Sequence, residues 1–189
     1  MLRPRLALIV AVALGISAVR ADEIPPIPVP DGYIAQQLDV TKGWIARPKD
    51  WFYESRGTPS GWLWTIAKED PSKGEYETGM RIQMLIGFKK HGTTSEAFLR
   101  NFIGQKRVED KVLSDCETKV GNFQRICLEV LEGKFHIQYS VYWDSNTDYA
   151  FLVTFGAPAN KWNEVKAIEQ TMAGVVIIGA DFGKDEKKE

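Results

Sequence analysis

The sequence predicts an α+β domain in which an antiparallel β-sheet is flanked by helices. Three observations predict it. Several stretches alternate apolar and polar residues with period two, the pattern of half-buried strands. Two others carry apolar residues at helical spacing. The loops between successive strands are short, which favours antiparallel pairing.

The elements follow in order. Trp62, Trp64 and Ile66 fall on one side of a strand, with Leu63, Thr65 and Ala67 on the other. Met80, Ile82, Met84, Ile86 and Phe88 then share a face against Arg81, Gln83, Leu85, Gly87 and Lys89. Thr93-Thr94-Ser95-Glu96 reads as a capping box, and behind it Phe98/Phe102 and Leu99/Ile103 form one apolar helical stripe. Phe135, Ile137, Tyr139, Val141 and Trp143 alternate with His136, Gln138, Ser140 and Tyr142. After a turn near Asp144 to Thr147, Tyr149, Phe151, Val153 and Phe155 continue the pattern. A second helix opens at Pro158, with Trp162, Val165, Ile168 and Met172 on one side and Gly174 as its stop.

Cys116 and Cys127 are the only cysteines. The Gly121-Asn122 pair between them suits a two-residue hairpin turn with positive φ, and counting outward from that turn makes the cysteines direct cross-strand partners. A structural disulfide is the expectation. A redox-active pair would want a CxxC spacing, which this is not.

The N-terminus points to the compartment where such a bond persists. Arg3 and Arg5 precede the apolar run Leu6 to Ile16, and Val19 and Ala21 are the small residues of a cleavage site, so residues 1–21 read as a signal peptide. The apolar run falls short of the ~20 residues a spanning helix needs. No membrane span is expected after cleavage, and the localisation is exported, periplasmic or extracellular. Residues 22–32 hold four prolines and read as an extended leader. Residues 33–178 then form one domain, followed by a charged, disordered tail over 179–189. Removing Arg3, Arg5 and Arg20 from the 24 basic residues leaves 21 against 25 acidic ones, a net charge of −4. Without a basic stripe, nucleic acid is not an expected partner.

Catalytic signatures are missing. There is no Gly-x-Ser-x-Gly elbow, no His-Glu-x-x-His motif and no phosphate-cradling loop. His91 and His136 read as surface histidines rather than metal ligands. Glu69 and Asp70 precede Pro71 in a turn that lacks an EF-hand spacing. The expectation is no catalytic residue, no metal, no cofactor and no enzyme. Two candidate binding features remain. Trp62 and Trp64 belong to the core, whereas Trp44 and Trp51 are open candidates for a recognition surface. Arg81, Gln83, His136, Gln138 and Tyr142 would form a shallow polar surface if their strands are neighbours; the plainer reading of them is a solvated sheet face.

The stretch from Gly43-Trp44 to Ile178 resembles the PsbP-like superfamily, which includes a photosystem II extrinsic subunit of plants, a Ran-binding nuclear-import factor and exported bacterial proteins. The resemblance lies in the early GWIARPKDW, in the amphipathic TTSEAFLRNFIGQ, and in YAFLVTFGAPANKWNEV running on to GVVII. It implies an α/β/α sandwich around an antiparallel sheet, used as an accessory or binding module without catalytic activity. The leading functional expectation is an exported accessory protein acting through another envelope or extracellular protein. The alternative is a carrier or sensor of a small apolar or carbohydrate ligand.

Overall fold

The computed structural model describes residues 27–174 and the backbone of a final strand at 176–178. The expected signal peptide, the first part of the leader and the charged tail lie outside the described residues. Five strands come first: β1 (Tyr33–Gln37), β2 (Lys42–Pro48), β3 (Phe52–Thr58), β4 (Gly61–Ala67) and β5 (Gly79–Ile86). Helix α1 (Ser95–Glu109) precedes β6 (Lys111–Val120), β7 (Phe123–Glu132), β8 (Phe135–Trp143) and β9 (Tyr149–Pro158). Helix α2 (Trp162–Ala173) and β10 (Val176–Ile178) close the chain. The large antiparallel sheet runs β3-β4-β5-β9-β8-β7-β6, and a small one runs β1-β2-β10. The expected α+β architecture, a sheet flanked by helices, is what the chain adopts.

The large sheet is covered on opposite faces in its two halves. On one face Trp64 and Ile66 of β4, Met80 and Ile82 of β5, and Phe151, Val153 and Phe155 of β9 pack with Trp162, Val165 and Met172 of α2, with Ile45 of β2 and with Leu38 from the β1–β2 connection. On the other face Leu99 and Ile103 of α1 pack with Ile126, Leu128 and Val130 of β7 and with Tyr139, Val141 and Trp143 of β8. Strand β9 serves both cores, because its odd-numbered residues face α2 while Ala150 and Leu152 face α1. Truncating Leu99 or Ile103, both fully buried, costs about 2–5 kcal/mol. This alternation leaves two quarters of the sheet without a helix over them: the α2-side face of β6–β8 and the α1-side face of β3–β5.

Several local details depart from the sequence reading. Thr94, not Thr93, caps α1, its Oγ1 accepting from the Ala97 amide at 3.1 Å. Glu96 therefore sits one position too early to close a capping box and pairs with Arg100 at 2.8 Å instead. Phe98 is 43% exposed, so the buried stripe of α1 is narrower than its sequence suggests. Pro158 ends β9, and a short 3₁₀ turn over Ala159–Lys161 intervenes before α2 begins at Trp162. Trp62 is only half-buried and donates from Nε1 to Ser55 Oγ at 2.8 Å. In the leader, Ile27 is buried against the domain.

The β6–β7 hairpin follows the expected register. Val120 pairs with Phe123 around Gly121-Asn122, Gly121 alone takes the left-handed conformation at φ +58°, and Cys116 faces Cys127. Their Cα atoms lie 5.0 Å apart and the two sulfurs are bonded.

Candidate functional site

The open face of β6–β8 gathers polar side chains beside α2. Alternation puts Arg125 and Glu129 of β7, and His136, Gln138, Ser140 and Tyr142 of β8, on this side. Helix α2 borders them with Lys166, Glu169 and Gln170. The result is a cleft of about 410 Å³ lined by residues from β7, β8 and α2. It leads to a narrow recess of about 10 Å³, roughly the room of one water, between Gln138, Ser140, Tyr142 and Glu169.

Hydrogen bonds tie the cleft wall together. His136 Nε2 lies 2.6 Å from Glu129 Oε1, and Ser114 Oγ on β6 donates to Glu129 Oε2 at 2.8 Å. Burial alone would raise the Glu129 carboxyl; the Ser114 hydroxyl and His136 outweigh it and hold the group below the usual carboxylate range. The His136 ring stacks on Trp162 with centroids 3.7 Å apart. Arg125 donates from Nη2 to Ser140 Oγ at 3.1 Å, and its guanidinium lies 5.5 Å from the centre of the Tyr142 ring.

Glu169 is different. It is 5% exposed and makes no hydrogen bond or ion pair with the described residues. Burial, with Glu129 adding to it, pushes its carboxyl above the usual range, while Arg125 and Lys166 pull the other way. A buried carboxyl of this kind is poised to accept or donate a hydrogen bond to whatever enters the cleft. No motif singles it out, although position 169 lies seven residues from Trp162 and four from Val165, on the buried stripe of α2. A carboxylate on an apolar stripe is the signal that could have found it.

The sequence-selected residues do not form one surface. His136, Gln138 and Tyr142 meet at this cleft. Arg81 and Gln83 stand on the opposite face: Arg81 is level with Thr154 and Tyr139, and Gln83 with Leu152 and Val141, whereas Gln138 is level with Phe155. The register across β9 sets that parity. Trp51 is 6% exposed and stacks on Phe155 at 6.4 Å, so it belongs to the core and not to a recognition surface. Trp44 is half-buried on the side of β2 opposite fully buried Ile45 and is not among the residues lining the cleft. Among the described residues no three His, Cys, Asp or Glu side chains gather to hold a metal ion, and no helix is long and apolar enough to cross a membrane.

No protein-family model matches the chain. No curated protein matches it either. Among solved structures, cyanobacterial PsbP (CyanoP) from Synechocystis sp. PCC 6803 is similar, with a TM-score of 0.48 and 12% identity over 78% of this chain and 93% of that one. A protein from Bacteroides thetaiotaomicron VPI-5482 is similar with a TM-score of 0.37 and 14% identity, over 68% of this chain and 43% of that one. The likeness is one of fold. The first of these carries the PsbP name of the superfamily that the sequence resembles.

Proposed function

We propose that this chain is a non-enzymatic binding protein that works outside the cytoplasm by engaging another protein through the polar face of β6–β8 beside α2. One observation carries the reading: the buried Glu169 carboxyl, without a partner among the described residues, opens onto a cleft whose rim carries both signs of charge. Charge arranged in this way selects partners and fixes their orientation more than it adds raw affinity. The aromatic and guanidinium groups of Tyr142 and Arg125 are of the kind that dominates interface energetics. The export signal read from residues 1–21 and the Cys116–Cys127 bond support an oxidising compartment.

The test is capture from the native envelope fraction by immobilised mature protein, comparing two charge reversals. Lys166→Glu alters the rim of the cleft at an exposed position, whereas Glu54→Lys alters an exposed position on the other face of the sheet. The reading expects a specific protein retained by wild type and by Glu54→Lys and lost with Lys166→Glu. Retention of the same protein by all three contradicts it, as does no specific retention by any.

A further inference from the structure

The second uncovered quarter of the sheet holds a groove of about 440 Å³ between α1 and the 71–78 loop, within the size range of small-molecule sites. Its floor includes two glycines that face each other across neighbouring strands, Gly79 of β5 and Gly156 of β9. The fold requires the first, because a Cβ on Gly79 would lie 2.5 Å from the Ile66 carbonyl oxygen. It does not require the second. A Cβ on Gly156 would meet the Ile137 side chain at 3.7 Å and the His136 carbonyl oxygen at 4.0 Å, both ordinary contacts, and its φ is not left-handed. Glycine inside a strand weakens it and often marks a place where a ligand approaches the backbone. Gly156 keeps the groove deep without serving the packing around it.

The walls are aromatic. Phe102 of α1 meets Tyr139 edge-on at 5.5 Å, and Phe135 and Tyr76 add further ring surface. The charged groups at the groove are matched except one. Lys106 is held by Glu132 at 3.0 Å and Asp110 at 3.6 Å, and Glu77 is held by Lys134 at 2.8 Å. Arg81 makes no ion pair among the described residues; its guanidinium lies 5.9 Å from the centre of the Tyr76 ring. Glu132 stands on β7, three strands from Arg81 and four residues beyond Leu128, the residue level with it, so it is about 14 Å across the sheet and about 13 Å along it. We propose that this groove binds a small organic carboxylate with an apolar body, the body lying on the Gly79–Gly156 floor between the rings and the carboxylate on Arg81, with the Gln83 amide beside it. Bidentate pairing with carboxylate is what a guanidinium does best. This site lies on the opposite face from the α2 cleft and does not depend on the partner reading.

Isothermal titration of the mature chain tests it with indole-3-acetate and octanoate, each against its neutral primary amide, so that aryl and alkyl bodies are told apart. Saturable binding of at least one acid is expected, with its amide at least about tenfold weaker, the difference one charge-assisted contact makes. Arg81→Gln should lower affinity for the acid by a similar factor and leave the amide unchanged. Gly156→Leu should remove binding of both; should that variant not fold, Arg81→Gln and the amides decide the matter. No saturable binding of either acid overturns the proposal. So does equal affinity for acid and amide, or wild-type affinity in a folded Gly156→Leu.

Discussion

The imidazole of His136 lies flat on the indole of Trp162, with ring centroids 3.7 Å apart and planes 6° from parallel. That contact joins β8 to the first turn of α2. From the same imidazole, hydrogen bonds run through Glu129 to Ser114 and so across β7 to β6. The open polar face is thereby anchored to the helix that borders it. His136→Ala should destabilise the fold by about 1–3 kcal/mol, since it removes the stacking and leaves Glu129 with one partner fewer. Urea unfolding measures this, and a change below ~0.5 kcal/mol would mean that the stack contributes little.

The Glu169 carboxyl gives a pH dependence with a definite sign. Its value in the fold is raised, so the folded state favours the protonated form. The stability this site contributes is fully present below the ordinary glutamate value, ~4.3, and is lost as pH rises through the raised one. Glu169→Gln should therefore gain on wild type between about pH 4 and pH 7.5, by on the order of 1 kcal/mol. Denaturant unfolding at both pH values reads the gap, and a gap that stays constant or narrows contradicts the assignment.

Cys116 and Cys127 close a short loop across the β6–β7 hairpin. Loop-closure entropy predicts that reduction costs roughly 3 kcal/mol, less whatever strain the bond carries. Thermal unfolding with and without reductant measures it. Thiol titration of the denatured, unreduced chain should find no reactive thiol; two would contradict the bond.

The two facing glycines should respond oppositely to alanine. Gly79→Ala puts a methyl group 2.5 Å from the Ile66 carbonyl oxygen and should cost about 2 kcal/mol or more. Gly156→Ala meets only ordinary contacts and should be neutral or stabilising by roughly 0.5–1 kcal/mol. Equal losses at both positions would mean that Gly156 is held by packing after all.

Much of this architecture is legible in the residues. Period-two alternation marks β4, β5 and β8 because one face of each carries most of its core residues, and β9 because its aromatic rings fall on one side although both its faces are in a core. The hairpin at Gly121-Asn122 fixes the cysteine pair because turn and register are both local. What stays hidden is long-range. Whether Arg81 shares a side with Gln138 depends on the β5–β9 and β9–β8 registers, and β5 and β9 are some seventy residues apart in sequence. Trp51 looks available until Phe155, a hundred residues on, covers it. Glu169 is hidden for another reason: its position is right for burial and its residue type is wrong, and the polar face of β8 that makes room for it comes from a different element.

The working surface we propose for this protein is the β6–β8 face beside α2. A photo-crosslinking amino acid at position 118, on that side of β6, tests it most directly when compared with one at position 54 on the opposite side of β3. Irradiation in the native envelope should give a discrete adduct to one protein from position 118 and none from position 54. The absence of an adduct from position 118, or the same adduct from both, contradicts the claim.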